Sequence, residues 1–128
     1  LQEAQVDADG AHLVVGGCRL AVPTHRIDRL KGQLGRTVKF GIRPEHITAG
    51  GHSEVAVQHV EGTLRFMEHM GSEVFVHFTL GDKLFTCRVP SDQLGDLAPK
   101  QRGDKHQFGV QMHACHAFDM DSGKNLFL

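Results

Sequence analysis

Histidine and cysteine are the residues of this chain that could bind a metal ion or act as a nucleophile. The 128 residues include ten histidines and three cysteines, and the densest cluster is His113-Ala114-Cys115-His116. In a strand, His113 and Cys115 would face one side and His116 the other. The sequence also lacks the His-Glu-x-x-His and paired Cys-x-x-Cys spacings typical of zinc sites. We therefore expect surface histidines and no resident metal.

Two segments look like ligand-binding loops but lack required residues. Asp119-Met120-Asp121-Ser122-Gly123 has neither the third acidic position nor the distal glutamate of a calcium loop, which predicts an Asp/Gly turn. Gly123-Lys124 is not a phosphate-binding loop, because Phe118 replaces its first glycine and Asn125 its Ser or Thr. Catalytic triads meet only in space, so spacing alone assigns none. This chain is thus predicted to be no enzyme and to bind no cofactor itself.

Charge and hydropathy exclude several classes of protein. The formal charge is −1, from 14 Lys+Arg and 15 Asp+Glu, without the basic excess of a nucleic-acid-binding protein. No run approaches the roughly 20 apolar residues of a membrane span, and no signal peptide is recognisable. The odd number of cysteines favours a reducing cytosol. Because the sequence begins at Leu1 without an initiator Met, we interpret it as a fragment of a longer protein.

Alternating apolar residues and dense turn signals predict an all-β fold. Fifteen glycines separate short alternating runs, which is typical of a small barrel or sandwich. The clearest hairpin spans Val74 to Val89 around Gly81-Asp82, a pair suited to a type II′ turn. Three cross-strand pairs share one face: Phe78 with Phe85, Val76 with Cys87, and Val74 with Val89. The opposite face would hold His77, Thr86 and Arg88, with Phe75 across from Arg88.

Further elements are predicted along the rest of the chain. A second hairpin around Gly16-Gly17 pairs Leu13 with Leu20 and Val15 with Cys18. The spacing of Ile27, Leu30 and Leu34 predicts a short helix or compact turn between Pro23 and Gly35. The apolar pattern changes phase between Val55 and Phe66, which predicts a bulge near His59 and places Val60, Leu64 and Phe66 on one face. Strands are also predicted at His106–Ala114 and Asn125–Leu128, with a loop or single helical turn at 90–103.

The segment from Phe40 to His46 combines a strand end with charged residues. Val38, Phe40 and Ile42 alternate with polar or small residues, as in a half-buried strand. Pro44 keeps the preceding residue extended and removes a ladder donor, so the strand should stop there. Arg43 and Glu45 are two residues apart and could form a surface ion pair of about 0–1 kcal/mol.

This segment resembles the Gly-Ile-Arg-Pro-Glu-His signature in the C-terminal regulatory domain of sugar-importer ABC ATPases. The residues that match it are Gly41, Arg43, Pro44, Glu45 and His46. A second stretch, from Val60-Glu61-Gly62 through Glu68, Gly71 and Glu73, is similar to another family motif, with Met70 in place of Leu. The region from Leu97 to Phe108 is also similar. The ending with Phe118, Asp119 and Gly123 resembles the family's terminal motif, with Ala117 replacing Leu.

The resemblance implies an all-β, OB-like barrel of the MOP/TOBE (transport-associated OB) type, formed by two interleaved β sub-barrels with at most short helical turns. Residues 1–128 would be one C-terminal regulatory and dimerisation domain, with halves of roughly 1–50 and 51–128. The N-terminal ATP-binding domain, which binds ATP and Mg in the family, would be absent from this chain. The domain would form a homodimer and couple the binding of a possible regulatory protein to transport. Through the parent protein it would meet membrane permease subunits in the cytoplasm, at the inner face of the plasma membrane.

Within that resemblance, the signature residues Arg43, Pro44 and Glu45 are expected to have a structural role. They would end one strand and fix the crossing into the second half of the barrel. Two other functions stay open. Related barrels bind molybdate or sulfate, and Arg29-Leu30-Lys31-Gly32 is weakly similar to a molybdate-binding segment. A nucleic-acid-binding OB barrel is the other, although the neutral charge balance argues against it.

Overall fold

The computed structural model describes residues 1–49 and 56–128. Ten strands and short 3₁₀ helices form the described part of the chain, which confirms the all-β prediction. The strands are β1 (Gln2–Val6), β2 (His12–Val15), β3 (Cys18–Ala21), β4 (Thr37–Gly41), β5 (Ile47–Thr48), β6 (Gln58–Met70), β7 (Glu73–Leu80), β8 (Lys83–Pro90), β9 (Lys105–Val110) and β10 (His116–Asp119). The 3₁₀ helices span Thr24–Leu30, Pro44–His46, Ser91–Gln93, Gly95–Leu97 and Met112–Ala114.

The chain divides into two compact units, each containing one antiparallel sheet. The first unit comprises Leu1–Ile42 and Met112–Leu128, and its strand order is β10-β4-β1-β2-β3. The second unit comprises Arg43–Gln111, with the order β5-β9-β6-β7-β8. These units differ from halves of roughly 1–50 and 51–128, because β10 pairs with β4 and so returns the C-terminal segment to the first unit.

The first unit has the predicted N-terminal hairpin. Leu13 pairs with Leu20 and Val15 with Cys18, as expected. Gly16 and Gly17 both have positive φ angles, 56° and 80°, which a type I′ turn requires and glycine adopts without steric cost. The predicted helical segment is the 3₁₀ helix Thr24–Leu30, and only its Leu30 is buried.

The second unit has the predicted central hairpin in the predicted register. Phe78 pairs with Phe85, Val76 with Cys87 and Val74 with Val89, and all six are buried. The ring centroids of Phe78 and Phe108 lie 3.8 Å apart, which makes this stack the centre of the unit's core. The first and last strands of the sheet also meet, because the Cys87 thiol donates a hydrogen bond to the Ile47 carbonyl over 3.0 Å. This contact nearly closes the sheet into a barrel.

The prediction of a bulge near His59 was wrong, and part of its motivating pattern, at Val55, lies outside the described residues. The β6–β7 register shifts between Leu64 and Phe66 instead. One extra residue, Arg65, enters β6 there, so Val60 and Leu64 are buried while Phe66 is half exposed. The expected common face of Val60, Leu64 and Phe66 therefore does not exist.

Two other strand predictions were too long. The strand predicted over His106–Ala114 ends at Val110, and a 3₁₀ helix replaces its last residues. The predicted strand Asn125–Leu128 is reduced to one isolated bridge between Asn125 and Phe118. In contrast, β10 was not predicted, because its four residues carry no clear alternation.

Candidate functional site

The signature segment is where the chain passes from the first unit to the second. Gly41 ends β4 and pairs with His116 of β10. A Cβ atom on Gly41 would lie 2.6 Å from Leu1 Cδ2 and 3.4 Å from Phe118 Cε2, so Gly41 packs directly beside both side chains. Two family-motif residues from opposite ends of the chain, Gly41 and Phe118, are thus brought together in the first unit.

The next three signature residues confirm the predicted strand stop. Arg43 is extended, with φ −77° and ψ 147°, and Pro44 opens a 3₁₀ helix that ends at His46. The His46 N–H donates to the Arg43 carbonyl over 2.9 Å, which closes this turn. The His46 carbonyl accepts a hydrogen bond from the Gln111 N–H, whereas its buried Nδ1 has no partner among the described residues.

Glu45 does not form the expected ion pair with Arg43 within the described part of the chain. A hydrogen bond from its own backbone N–H lowers the pKa of the Glu45 carboxyl, and the charges of Arg88, His46 and Arg43 act in the same direction. Arg88 also lies 3.8 Å from a carboxylate oxygen of Glu73. The Arg88 guanidinium therefore stands near acidic residues of two different family motifs, a role that sequence reasoning missed.

Glu68 anchors a hydrogen-bonded chain on the outer face of the second sheet. Its Oε1 atom lies 2.6 Å from His77 Nε2, and His77 Nδ1 lies 2.9 Å from Thr86 Oγ1. The Phe66 ring stacks on the His77 ring with centroids 4.3 Å apart. The predicted register had placed His77 and Thr86 together, but the bulge that aligns Phe66 and Glu68 with them was missed. Gly71, with φ +72°, forms the turn that leads from this strand to Glu73.

The C-terminal motif forms the predicted Asp/Gly turn. Asp119 Oδ1 accepts hydrogen bonds from the N–H groups of Asp121 and Ser122, over 2.8 and 3.0 Å. These backbone donors, that of Ser122 above all, lower the pKa of the Asp119 carboxyl. Gly123, with φ +73°, donates its N–H to the Asp119 carbonyl over 2.9 Å. The carboxylate is used by the turn itself.

The described residues contain one group with metal-like geometry, Asp7, Asp9 and His12, whose ligand atoms lie within 4.8 Å of one another. Arg19 already occupies it, with Nη2 2.7 Å from Asp7 Oδ2 and 2.9 Å from Asp9 Oδ2. A guanidinium that neutralises both carboxylates competes with any cation. His113, Cys115 and His116 do not belong to this group: Cys115 is buried, with its thiol pKa raised to about 11 by burial, and His116 contacts the Asn125 amide.

The family-motif residues are divided between the two units. Gly41, Phe118, Asp119 and Gly123 belong to the first unit, and the others belong to the second. One groove of the second unit is lined by a different set, namely Arg65, Phe66, Thr79, Gly81, Asp82, Leu84 and Arg102. No helix in the described residues is long and apolar enough to cross a membrane. Four of the motif residues, Pro44, Gly71, Asp119 and Gly123, lie in turns.

Comparison with known proteins identifies two overlapping family matches. The TOBE domain model matches residues 40–118, and the MalK OB fold domain model matches residues 1–47. Together they account for almost the whole chain, and their overlap contains the signature segment.

Several curated relatives share about a third of the aligned residues. The sulfoquinovosyl glycerol transport ATP-binding protein SmoE of Agrobacterium fabrum is 33% identical over 112 residues, covering 86% of this chain and 28% of the relative. The sn-glycerol-3-phosphate import ATP-binding protein UgpC of Cereibacter sphaeroides is 32% identical, with 91% and 29% covered. The maltose/maltodextrin import ATP-binding protein MalK of Photobacterium profundum is 32% identical, with 68% and 22% covered. The chain therefore spans less than a third of the length of these relatives.

Among solved structures, the cytoplasmic molybdate-binding protein ModG is similar in fold. Its TM-score is 0.67 at 17% sequence identity, with 91% of this chain and 92% of that chain covered. At this identity the likeness shows the fold alone.

Proposed function

Because the chain belongs to the TOBE domain family, and its relatives are ATP-binding proteins of sugar and glycerol-phosphate importers, we propose that it is the regulatory and dimerisation domain of an ABC-type carbohydrate importer ATPase. The observation that carries this proposal is the pair of family matches that meet at the signature segment. The parent subunit would bind ATP and Mg through another domain. It would sit in the cytoplasm against permease subunits at the inner face of the plasma membrane.

The mechanism is thermodynamic coupling rather than chemistry. A regulator that binds this domain more tightly in one state of the importer shifts the whole ATPase towards that state, by no more than the difference of the two affinities. Closely packed turns and two apolar cores suit such a role, because the domain must transmit a contact without deforming. The motif residues Gly41, Gly71 and Gly123 support it by fixing backbone geometry rather than by contacting a ligand.

The dimerisation part is tested by sedimentation velocity of the full 128-residue chain over a wide range of concentrations. We expect a monomer–dimer equilibrium, whereas a monomer at every concentration would contradict this part of the proposal.

The regulatory part is tested in the intact ATP-binding subunit, with and without this domain, reconstituted with its permease subunits. Removal should leave ATP hydrolysis in place and abolish its response to regulators. If ATP hydrolysis still responded to regulators after removal of this domain, the proposal would be contradicted.

The two alternative functions stay predictions with their own tests. Calorimetry with molybdate, tungstate and sulfate tests the oxyanion-binding role, and clear heats of binding would favour it over regulation by protein contacts. A gel shift at low salt tests the nucleic-acid-binding role, because phosphate contacts weaken steeply as salt rises.

A further inference from the structure

The groove on the second unit lies at the point where β6 departs from regular strand geometry. In a regular strand, Arg65 and Phe66 would point to opposite faces of the sheet. The bulge between Leu64 and Phe66 removes this alternation, and both side chains are exposed and line the same groove. Bulges often re-aim side chains in this manner next to binding sites. The groove encloses about 690 Å³, within the range of about 300–1,000 Å³ that is usual for small-molecule sites.

Two arginines are held together at this groove by the backbone. The Leu64 N–H donates to the Asp104 carbonyl, and the Gly103 N–H donates to the Leu64 carbonyl, both over 2.8 Å. Arg65 follows Leu64 and Arg102 precedes Gly103, so each arginine is next to a residue of this hydrogen-bonded pair, and both line the groove. The loop is itself braced, since Asp104 Oδ2 accepts the Gln101 N–H over 2.9 Å.

The charged side chains that line the groove are two arginines and one aspartate. Neither Arg65 nor Arg102 is in an ion pair with any residue in ranges 1–49 and 56–128. The groove contains one carboxylate, Asp82, at the β7–β8 turn. Two arginines that line one groove favour an anionic ligand there, and arginine matches the oxygens of a phosphate with paired donors.

Two apolar side chains, Phe66 and Leu84, also line the groove. Phe66 is 51% exposed and Leu84 is 45% exposed, so both present apolar surface to a ligand. Phe66 is held in place by its stack on His77, which Glu68 and Thr86 in turn orient. The Thr79 hydroxyl and the Asp82 carboxylate supply hydrogen-bonding groups beside this apolar surface.

We propose that this groove binds a phosphorylated sugar. The phosphate would lie between Arg65 and Arg102, the apolar C–H face of the sugar ring would pack on Phe66 and Leu84, and its hydroxyls would bond to Thr79 and Asp82. A free phosphate would leave the apolar surface uncovered, and an unphosphorylated sugar would leave the two arginines unneutralised. Binding itself does not depend on the regulatory role; only a consequence for transport would rest on that proposed function.

Isothermal titration calorimetry of the full chain with glucose 6-phosphate tests the site, with glucose, inorganic phosphate and AMP as comparison ligands. We expect saturable binding of glucose 6-phosphate that weakens as salt is raised, and at least tenfold weaker binding of glucose and of inorganic phosphate. Absence of saturable binding at millimolar glucose 6-phosphate would overturn the proposal. Equal or tighter binding of inorganic phosphate or AMP would overturn the assignment to a sugar.

Variants of the two arginines locate the site. Arg65→Gln and Arg102→Gln should each weaken binding about tenfold, the loss of one charge-assisted hydrogen bond. Arg36→Gln is the matched control, because Arg36 is an exposed arginine of the other unit. Phe66→Ala should weaken glucose 6-phosphate binding without changing the response to inorganic phosphate. If both arginine variants fold, as judged by circular dichroism, and bind with unchanged affinity, the groove is not the site.

Discussion

Both faces of the strands β6–β8 carry phenylalanine, but different interactions hold the ring on each face. The inner face is apolar throughout, and its central residue, Phe78, is 0% exposed between Phe85 and Phe108. The outer face carries Phe66 on a hydrogen-bonded chain of Glu68, His77 and Thr86. Phenylalanine is therefore a core residue on the inner face, as Phe78, and an exposed residue stacked on a histidine on the outer face, as Phe66. The inner face supplies stability, and the outer face supplies a shaped surface.

Replacing one phenylalanine on each face tests this difference most strongly. Phe78→Ala should lower the free energy of unfolding by about 3–5 kcal/mol, because it removes a fully buried ring and leaves a cavity. Phe66→Ala should cost about 1 kcal/mol or less, since half of that ring already contacts water. Urea denaturation monitored by circular dichroism measures both. Similar losses for the two variants would contradict the division between the faces.

A methyl group added to the inner face tests how closely it is packed. A Cβ atom on Gly62 would lie 2.5 Å from Phe78 Cδ2 and 3.1 Å from Phe108 Cε2. Gly62→Ala should therefore lower the free energy of unfolding by about 1–3 kcal/mol through overpacking. Glu61→Ala, at the exposed neighbouring position of the same strand, is the control and should change it by less than about 0.5 kcal/mol. A neutral Gly62→Ala variant would mean that the Phe78–Phe108 stack can move aside.

The inner face was predictable from sequence, and the outer face only in part. The two-residue turn Gly81-Asp82 fixes the register of β7 and β8. Because side chains alternate between the two faces of a strand, the register then assigns each side chain to a face. The position of the bulge is not encoded in this way. The change of phase in the apolar pattern near residue 60 is compatible with a bulge at several positions. The hydrogen bonds of Leu64 with Asp104 and Gly103 fix the backbone there, and Arg65 becomes the extra residue. The groove depends on that choice, so no sequence pattern indicated it.

The motif residues show the same limit. Gly41, Gly71 and Gly123 were identified by resemblance, and the structure gives two of them positive φ angles and one a close contact. The residues that contact the motifs could not be predicted, because they are distant in sequence. Leu1 and Phe118 lie against Gly41, and Arg88 lies near Glu45 and Glu73. The strand β10 was missed for a related reason: its four residues are held by pairing with β4, not by their own pattern.

Removing one hydroxyl from the outer face tests the hydrogen-bonded chain. Thr86→Val keeps the shape and leaves His77 Nδ1 without its 2.9 Å partner. We expect a loss of about 1 kcal/mol in the free energy of unfolding, typical for one hydrogen bond. Thr79→Val, on the same face but outside this hydrogen-bonded chain, should cost less. Loss of the Phe66–His77 stack in the nuclear magnetic resonance spectrum of the Thr86 variant would show that the chain orients the aromatic pair.

The reactivity of the three cysteine thiols compares buried positions with a half-buried one, without any substitution. Burial raises the pKa of Cys87 to about 12 and that of Cys115 to about 11, and it also raises the pKa of the half-buried Cys18. Since only the thiolate is reactive, mild labelling of the native protein near neutral pH should modify Cys18 first. Mass spectrometry of the labelled peptides measures the order. Early modification of Cys87 would mean that the barrel opens between β5 and β8.

The smallest expected effect comes from the surface turn at Asp119, which has no apolar support. Backbone N–H groups of Ser122 and Asp121 hold the pKa of this carboxyl below its usual 3.8. A carboxyl with a lowered pKa in the folded state stabilises the fold above the unfolded pKa, and this contribution disappears as the pH falls through the folded value. Asp119→Asn should therefore unfold more easily than the unmodified chain at neutral pH, and the two should converge below about pH 3.8. Asp92→Asn, at an exposed position of the other unit, is the control and should change the melting temperature at neutral pH little, because no hydrogen bond to its side chain is present in the described residues. A constant difference between Asp119→Asn and the unmodified chain across this pH range would mean that the turn relies on the shape of the side chain and not on its charge.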